Sequence, residues 1–518
     1  MRISRFAWGL VVVAFLITSL CAPVFAVPDR WSATPEELEA ALSAQIEGLL
    51  ATHRIPGATV SVVADGELVF AKGYGWADID QKRPVVAEET LFHAASISKL
   101  FLWTAIMRLA EEGLVDLQTD INEYLGDVRI PATYRESITL EHLMTHTAGF
   151  EEMKGPLYGD ELPVLEDYLV RHMPDRIFSP GLYTAYSNYG AALAAYIVER
   201  VSGTPCDTYI DEHILQPLGM NSSSLAQPPS PELAARESAS YSLRLGLLKR
   251  LKKNAPMLDL LPAVGGLSTT ATDMAAFMIA HLQNGRYGDT AIMAPQTAEL
   301  MHQRQFVNDD RLPGMCYGFL EYFRNGERLI LHGGDAAFHS ILALIPTRNV
   351  GIFFSINSSG SGIGPNITQQ FLMDFLDRWF PSTPEVAEPA PAAEAVLGSA
   401  ERCTGTYLPT RRISSGILGL AYWSLANVRV TATSDRSIRM RGLSLDMELV
   451  EVEPLLFAEI EGRLMVAFAE DDCGVIRSMY HDDFPAMAYE RLGPTETPGF
   501  ALGFVGFLGA LAALAVLL

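Results

Sequence analysis

Positive charge is scarce in this chain. Its 518 residues include 38 Lys and Arg against 61 Asp and Glu, for a formal net charge of -23. A protein that binds nucleic acid neutralises phosphates with a basic face, so this balance argues against a nucleic-acid partner. The fraction of apolar residues, 49%, is that of a globular protein. A chain of this length is too long for one hydrophobic core, which predicts two or three domains.

Cysteine is also rare, with five in the whole sequence. No two cysteines form a CxxC pair, which argues against a zinc site built from thiolates. Cys403 and Cys473 lie in the same late segment, and they are the pair that we expect to form a disulfide in an exported protein. Cys206 and Cys316 are expected to be free and buried.

A complete histidine motif for metal binding is missing as well. His142 and His146 are four residues apart, a spacing at which two helical side chains can face one ion. Glu141 precedes the first histidine, which breaks the HExxH order of zinc proteases. No third ligand stands out, so we predict no metal site.

Charged residues are absent from the segment 499–518. An apolar run of this length can cross a bilayer, and its lack of a polar face disfavours a buried core helix. At the other end, Arg2 and Arg5 precede an apolar run that closes with small residues near Ala26, the pattern of a cleaved secretory signal. We therefore predict that residues 1–26 are a signal peptide. The mature protein would be exported and anchored by its last segment at the periplasmic or extracellular face of a membrane.

The patterns in residues 34–380 predict an α+β domain. Two apolar runs on either side of Asp65 and Gly66 predict a β-hairpin near its start, and strand patterns return only at 329–357. Between them, 114–290 is mostly helical in pattern. The antiparallel sheet would therefore combine strands from both ends of the domain, flanked by helices and interrupted by a helical insertion.

The segment 381–399 is rich in proline, alanine and glutamate, and it has too few apolar residues to pack against a core. We predict that this segment is a linker. Beyond it, apolar and polar residues alternate in short runs, which predicts a small antiparallel β domain or barrel over 400–492.

The stretch HAASISKL contains the first candidate for catalysis, because Ser96 and Lys99 stand three residues apart. In a helix, residues at this spacing share one face, whereas Ser98 points elsewhere. A serine hydroxyl becomes a nucleophile when a base takes its proton, and an amine can act as that base if burial or a second cation lowers its pKa. The structural alternative is a capped helix start with a solvated lysine.

Two later motifs favour the catalytic interpretation. Tyr-Ser-Asn at 186–188 opens an apolar helix, where a tyrosine hydroxyl can relay a proton and an asparagine amide can orient a substrate carbonyl. His-Gly-Gly at 332–334 ends a strand, and glycine lets the backbone approach a ligand closely. The structural alternatives are an aromatic core contact and a glycine kink in an edge strand.

In this order, S-I-S-K, Y-S-N and H-G-G resemble the motifs of the serine β-lactamase and penicillin-binding protein superfamily. The Y-x-N form is similar to that of class C β-lactamases, D-alanyl-D-alanine carboxypeptidases and related esterases. The resemblance covers roughly residues 35–380 and implies a β-lactamase/transpeptidase-like domain. The later β domain resembles the lipocalin-like module that some members carry.

The resemblance also implies a role for each residue of the three motifs. Ser96 would be the acylated nucleophile, while Lys99 and Tyr186 would share the general-base and general-acid work. Asn188 would orient the substrate. The substrate-binding strand would comprise His332, Gly333, Gly334 and Asp335. The oxyanion hole would consist of the backbone N–H groups of Ser96 and Asp335.

His332 departs from the pattern, because the third motif of these relatives usually has lysine. Histidine is neutral or only partly charged near neutral pH, whereas the lysine helps a β-lactamase to hold a substrate carboxylate. The substitution argues against efficient β-lactam hydrolysis and favours a peptidase or an esterase. If one protonation state of His332 binds substrate, turnover would change where imidazole titrates.

Together, these observations predict a serine hydrolase that forms an acyl-enzyme and requires no cofactor. Its substrate would be a D-amino-acid peptide amide or a small ester. The alternatives are a non-catalytic relative that binds wall peptides or lipids, and a true β-lactamase. A structural protein of membrane assembly is a third class, which rests only on the linker, the β domain and the apolar terminus.

Overall fold

The computed structural model describes residues 31–243, 251–254, 257–359, 367–382, 398–443 and 445–496. The predicted signal peptide, most of the predicted linker and the predicted membrane segment lie outside these ranges. None of the helices within these ranges combines the length and the apolarity of a membrane span.

A seven-stranded antiparallel sheet forms the centre of the first domain. Its strands, numbered along the chain, are β1 (Gly57–Ala64), β2 (Glu67–Asp78), β3 (Arg83–Pro84), β4 (Leu320–Arg324), β5 (Glu327–Asp335), β6 (His339–Ile345) and β7 (Val350–Ile356). In space they lie in the order β4-β5-β6-β7-β1-β2-β3, so β1 pairs with β7. The sheet thus combines strands from both ends of the domain, as the sequence predicts.

Helices cover both faces of this sheet. The longer ones are α1 (Pro35–His53), α2 (Ser98–Glu111), α3 (Asn188–Ser202), α4 (Ala271–Leu282) and α5 (Ile367–Trp379). Apolar residues of α1 and α5 share one core with the sheet, and those of α2, α3 and α4 share another. Shorter helices in the insertion and just after it are Leu140–Met144, Leu165–Arg171, Cys206–Ile210, Pro231–Arg236, Pro262–Gly265 and Pro295–His302. The sheet therefore lies between two hydrophobic cores, and the insertion belongs to the second.

Local sequence explains how the domain begins. Thr34 caps α1 because its hydroxyl accepts a hydrogen bond from the Glu37 N–H at 3.2 Å, while the Glu37 carboxylate accepts from the Thr34 N–H at 2.9 Å. After α1, the chain turns between β1 and β2 at Asp65 and Gly66, which both have positive φ angles, of 51° and 83°. This geometry matches the two-residue hairpin that the Asp-Gly pair predicts.

A closed eight-stranded barrel follows in the late part of the chain. Its strands are Gly405–Pro409, Val428–Ala432, Ser437–Arg441, Asp446–Glu453, Leu456–Glu459, Met465–Glu470, Ile476–His481 and Ala488–Arg491. Large side chains such as Tyr407, Phe457 and Phe468 pack together in its core. Two short helices, Ala400–Cys403 and Gly416–Leu425, accompany the strands.

The predicted disulfide between Cys403 and Cys473 is wrong. Both cysteines are free, and they lie in different environments. Cys403 ends the helix that leads into the barrel and is buried in the barrel core, whereas Cys473 is exposed in a turn closed by the Gly474 N–H and the Asp471 carbonyl at 2.8 Å. Cys206 and Cys316 are free and buried, as predicted.

The barrel contacts the first domain through backbone as well as side chains. The Tyr186 N–H donates to the Ala486 carbonyl at 2.9 Å, and Ala185 forms a β-bridge with Met487. The Thr410 hydroxyl is buried between the two domains, where it donates to the Thr184 carbonyl at 2.6 Å. The two domains thus meet at the residues that immediately precede the Tyr-Ser-Asn motif.

Thr410→Val tests whether this contact stabilises the protein. The substitution keeps the shape of the side chain but removes the buried hydrogen bonds of its hydroxyl to Thr184 and Ala488, so the free energy of unfolding should fall by about 0.5–1.5 kcal/mol. Thr431→Val, at an exposed barrel position, is the control and should change it by less than about 0.5 kcal/mol. Denaturant unfolding measures both, and equal stabilities of the two variants would contradict the prediction.

Candidate active site

Ser96 and Lys99 meet at the start of α2. Ser96 lies in a 3₁₀ turn, Ala95–Ile97, that leads directly into the helix, and Lys99 lies in the first turn of α2. Residues three apart share a face in both kinds of helix. The Lys99 Nζ atom is accordingly 2.9 Å from Ser96 Oγ, and it also donates to the Val264 carbonyl at 2.9 Å. The lysine is therefore fixed beside the predicted nucleophile.

Ser98 serves a different purpose. Its hydroxyl donates to the Ala95 carbonyl at 2.6 Å and accepts from the Leu267 N–H at 3.0 Å. The side chain is fully buried. Ser98 therefore ties the 3₁₀ turn to the segment that follows Val264, while Ser96 has the contact with the lysine.

The backbone around Ser96 is constrained from two directions. Ala95 has a φ of 49°, a conformation that residues other than glycine rarely adopt. On the neighbouring strand β5, a Cβ atom at Gly334 would lie 2.1 Å from the Ala94 carbonyl oxygen, whereas one at Gly333 would meet nothing closer than 3.9 Å. Of the two glycines in the third motif, Gly334 is therefore the one that lets β5 approach the turn.

Tyr186 lies beside the lysine. The Lys99 Nζ atom is 5.1 Å from the centroid of the Tyr186 ring. The chain turns into α3 directly after Tyr186, because the Ser187 hydroxyl caps this helix by accepting from the Gly190 N–H at 3.0 Å. The same cap makes Asn188 the first residue of α3 and leaves it buried in the site.

Burial controls the protonation of the lysine and the tyrosine. The pKa of Lys99 is well below its ordinary value, because the side chain is fully buried and the Arg411 guanidinium repels a second positive charge. Burial raises the pKa of Tyr186 to about 12, although Ser96 and Arg411 weaken the rise. The Ser96 and Tyr186 hydroxyls are close, but they are not in hydrogen-bonding geometry. An amine whose pKa is lowered and a phenol whose pKa is raised thus lie beside the same serine.

His332 is buried on the other side of the tyrosine. Its Nδ1–H donates to the Gly333 carbonyl at 2.7 Å, and its ring centroid is 6.1 Å from that of Tyr186. Burial and the nearby Lys99 lower its pKa to about 3. His332 thus stays neutral through the range where an exposed imidazole titrates, so the expected pH response of turnover does not come from this residue.

His142 and His146 make separate contacts. His142 completes a capping box with Thr139, through Nδ1 at 3.1 Å from the Thr139 backbone nitrogen. His146 packs its buried ring against Tyr186 with centroids 4.2 Å apart, and its Nδ1 accepts from the Ser187 N–H at 3.2 Å. His146 therefore supports the tyrosine, a role that the sequence gave no means to foresee. Within the described ranges, no group of three or more potential ligands could hold a metal ion.

The three sequence motifs meet at a cavity of about 280 Å³. Every predicted site residue except Gly334 contributes to its wall, namely Ser96, Lys99, Tyr186, Asn188, His332, Gly333 and Asp335. Asp335 is exposed, and its carboxylate is 2.7 Å from His339 Nδ1, within hydrogen-bonding distance. The last paired residues of β4 and β5 are Leu320 and Leu331, so within the described sheet 332–335 has no partner strand on this side. An extended substrate could pair with this free edge.

Sequence reasoning missed the walls of the cavity that come from elsewhere. Arg411, Asp483 and Phe484 reach it from the barrel, and Tyr158 and Asp259 reach it from the insertion. None of them belongs to a recognisable motif, and the barrel residues lie more than two hundred positions after Tyr186 in the chain. Only the docking of the barrel brings them to the site.

Comparison with known proteins is consistent with this geometry. A family model described as Beta-lactamase matches residues 42–368. A Beta-lactamase from Escherichia coli (strain K12) is 25% identical over 319 residues, which is 61% of this chain and 80% of that protein. Esterase EstB from Burkholderia gladioli is 31% identical over 210 residues, which is 37% of this chain and 53% of the esterase.

A solved structure extends the likeness to the barrel. The octameric penicillin-binding protein homologue from Pyrococcus abyssi aligns with 87% of this chain and 99% of its own, with a TM-score of 0.56 and 23% identity. At this identity the likeness concerns the fold. It supports the β-lactamase/transpeptidase-like architecture of the first domain.

Ser96→Ala and Ser98→Ala should differ in both chemistry and stability. Ser96→Ala should abolish covalent labelling by a fluorophosphonate and change the free energy of unfolding by about 1 kcal/mol or less. Ser98→Ala should still be labelled at Ser96, but the buried Leu267 N–H loses its acceptor, which costs about 1–3 kcal/mol. Intact mass, peptide mapping and denaturant unfolding measure these effects. An adduct on Ser98 would contradict the assignment.

The depressed pKa of Lys99 should appear in the pH dependence of stability. Between the folded pKa and the ordinary value of about 10.4, the unfolded chain binds a proton that the folded protein does not. Stability relative to the Lys99→Met variant should therefore rise with pH, by at most about 1.4 kcal/mol per unit. Denaturant unfolding between about pH 7 and pH 9 measures this slope.

Lys72 provides the control for this measurement. It is partly exposed, and its hydrogen bond to Glu39 raises its pKa, so both folded and unfolded states keep the proton over the same pH range. Lys72→Met should therefore show no slope relative to the wild type. If the difference in the free energy of unfolding between wild type and Lys99→Met did not change with pH, the folded lysine would be protonated over this range.

Proposed function

The chain belongs to the beta-lactamase family and is a serine hydrolase, and from this premise we propose that Ser96 forms an acyl-enzyme with D-amino-acid peptide amides or small esters. The contact between Lys99 Nζ and Ser96 Oγ, at 2.9 Å and in a buried setting, carries the proposal. It joins a nucleophile to a base whose pKa is lowered, at the wall of a cavity that can hold a substrate.

Acylation would use the two protonation states that burial favours. The neutral Lys99 amine would take the proton of Ser96 as Oγ attacks the substrate carbonyl carbon. The backbone N–H groups of Ser96 and Asp335 would stabilise the negative charge on the carbonyl oxygen. Tyr186 would pass a proton to the leaving nitrogen or oxygen as its bond to the carbonyl carbon breaks, and Lys99 would return its proton to the tyrosine.

Deacylation would reverse these roles. A water molecule in the position of the departed group would lose a proton towards Tyr186 and Lys99 while its oxygen attacks the acyl carbon. The bond to Ser96 Oγ would then break, and Ser96 would regain a proton from Lys99. Asn188 would orient the acyl group throughout, since it lines the cavity at the start of α3.

β-Lactam hydrolysis is the second candidate function. The match to the Escherichia coli Beta-lactamase over 61% of this chain favours it. The buried and neutral His332 weighs against it, because no cation stands at the third motif to hold the carboxylate of a β-lactam. The non-catalytic alternative is disfavoured because Ser96 and Lys99 are in contact and accessible from the cavity.

Export and membrane attachment are further proposals, and they rest on sequence alone. The basic and apolar pattern of 1–26 supports a signal peptide, and the uncharged run 499–518 supports an anchor. The enzyme would then meet its substrate at the periplasmic or extracellular face of a membrane.

Intact-mass measurement after treatment with a fluorophosphonate, and separately with benzylpenicillin, tests the proposal. We expect complete labelling by the fluorophosphonate, and slow or partial labelling by the penicillin because His332 is neutral. Ser96→Ala is the control and should remain unlabelled by both. Rapid turnover of penicillin would favour the β-lactamase alternative, and failure of both reagents to label the wild type would favour the non-catalytic one.

A further inference from the structure

Arg411 is a barrel residue that lines the cavity of the first domain. It lies two positions beyond the strand Gly405–Pro409, and about a third of its side chain is exposed. The guanidinium carbon is 5.0 Å from the centroid of the Tyr186 ring, and Lys99 Nζ is 5.1 Å from the same centroid. Arg411 and Lys99 therefore both contact the ring of Tyr186.

The barrel segment that carries Arg411 is held firmly against the first domain. The Arg411 Nε group donates to Glu152, and the Tyr422 hydroxyl donates to the Arg411 carbonyl at 2.9 Å. Next to it, the Glu152 N–H donates to the Arg412 carbonyl at 2.8 Å, and the buried Glu151 carboxylate accepts from the Ser414 N–H at 2.7 Å. Several contacts thus fix the position of the Arg411 guanidinium.

The terminal nitrogens of Arg411 remain available. Only Nε has a hydrogen-bond partner among the described residues, so Nη1 and Nη2 are free to form a second pair of bonds. Two such N–H groups can donate parallel hydrogen bonds to the two oxygens of one carboxylate. This bidentate pairing is among the strongest that arginine forms. The hydrogen bond from Nε to Glu152 does not use Nη1 or Nη2.

Arg411 also supplies a charge that the rest of the cavity lacks. Of the lining residues in the described ranges, it is the one whose positive charge burial does not suppress, since the pKa values of Lys99 and His332 are lowered. The carboxylates of the cavity wall already have partners: Asp259 faces His93 at 3.7 Å, and the Asp335 and Asp483 side chains bind His339 and Gln369. An anionic substrate group would therefore be drawn to Arg411.

We propose that Arg411 is a carboxylate-binding residue that holds the free C-terminal carboxylate of a peptide whose last amino acid is the leaving group. The inference rests on the proposed function, because Tyr186 would protonate the leaving group and would thereby place it against the ring that Arg411 covers. In this protein the barrel thus provides the cation that the histidine at the third motif does not. The preferred substrate is a peptide with a free C-terminal acid.

Binding of two matched ligands to the Ser96→Ala variant tests the inference without turnover. N-acetyl-D-alanine carries the free carboxylate, and N-acetyl-D-alaninamide replaces it with a neutral group of the same size. Isothermal titration calorimetry should show the acid binding at least about tenfold more tightly than the amide, the scale of one charge-assisted contact. Arg411→Gln in this background should remove the preference, and Arg411→Lys should keep part of it.

Arg412→Gln is the matched control. Arg412 pairs with Glu490 and lies over the Phe178 ring, and it does not line the cavity, so this variant should keep the full preference for the acid. The inference would be overturned if the Ser96→Ala variant bound the acid and the amide equally well, or if it bound neither. It would also be overturned if the preference for the acid remained after Arg411→Gln. A preference lost equally in Arg412→Gln would also overturn it, because docking of the barrel alone would then be responsible.

Cleavage of the matching dipeptides separates this inference from the proposed function. Wild-type enzyme should hydrolyse N-acetyl-D-alanyl-D-alanine with a lower KM than its C-terminal amide, and Arg411→Gln should raise the KM of the acid alone by roughly tenfold or more. A wild type that cleaves neither dipeptide, while the acid still binds through Arg411, refutes the peptide substrate and leaves the carboxylate site standing. An unchanged KM ratio in Arg411→Gln refutes the carboxylate site and leaves the hydrolase standing.

Discussion

A lysine buried in the interior is costly to keep protonated, and the site depends on this constraint. Lys99 lies in the first turn of α2, where the helix is packed between the sheet and the insertion. Its amine is held by Ser96 Oγ and the Val264 carbonyl, both at 2.9 Å. Burial therefore lowers the pKa of the amine that contacts the Ser96 hydroxyl. Any change that admitted water around Lys99 would raise this pKa towards its ordinary value.

The backbone positions the serine with comparable strictness. Ala95 adopts a left-handed φ of 49°, and β5 passes so close to this turn that only glycine fits at 334. Ser98 closes the arrangement by binding both the turn and the segment after Val264. The energy stored at Ala95 is offset by the packing of α2 and by these hydrogen bonds. Main-chain geometry thus holds Ser96 in place, while its hydroxyl contacts Lys99.

The barrel contributes residues to the candidate site. It binds the backbone of Tyr186 through Ala486 and places Arg411 over the tyrosine ring at 5.0 Å. A fragment that ended near residue 380 would contain the first domain without the barrel. Such a fragment would lose the guanidinium that lowers the pKa of Lys99, and with it one wall of the cavity. A linker between the two domains is therefore compatible with a single shared site.

Local patterns were sufficient to identify the centre of this site. The three-residue spacing of Ser96 and Lys99, the helix cap of Thr34 and the turn at Asp65 act within a few positions, so the sequence determines them alone. Tertiary structure decided what depends on distant segments: the low pKa of His332, the separation of Cys403 from Cys473, and the arrival of Arg411 at the cavity. Packing of distant segments brings together residues that are hundreds of positions apart. Local sequence patterns do not predict which of these residues will be in contact.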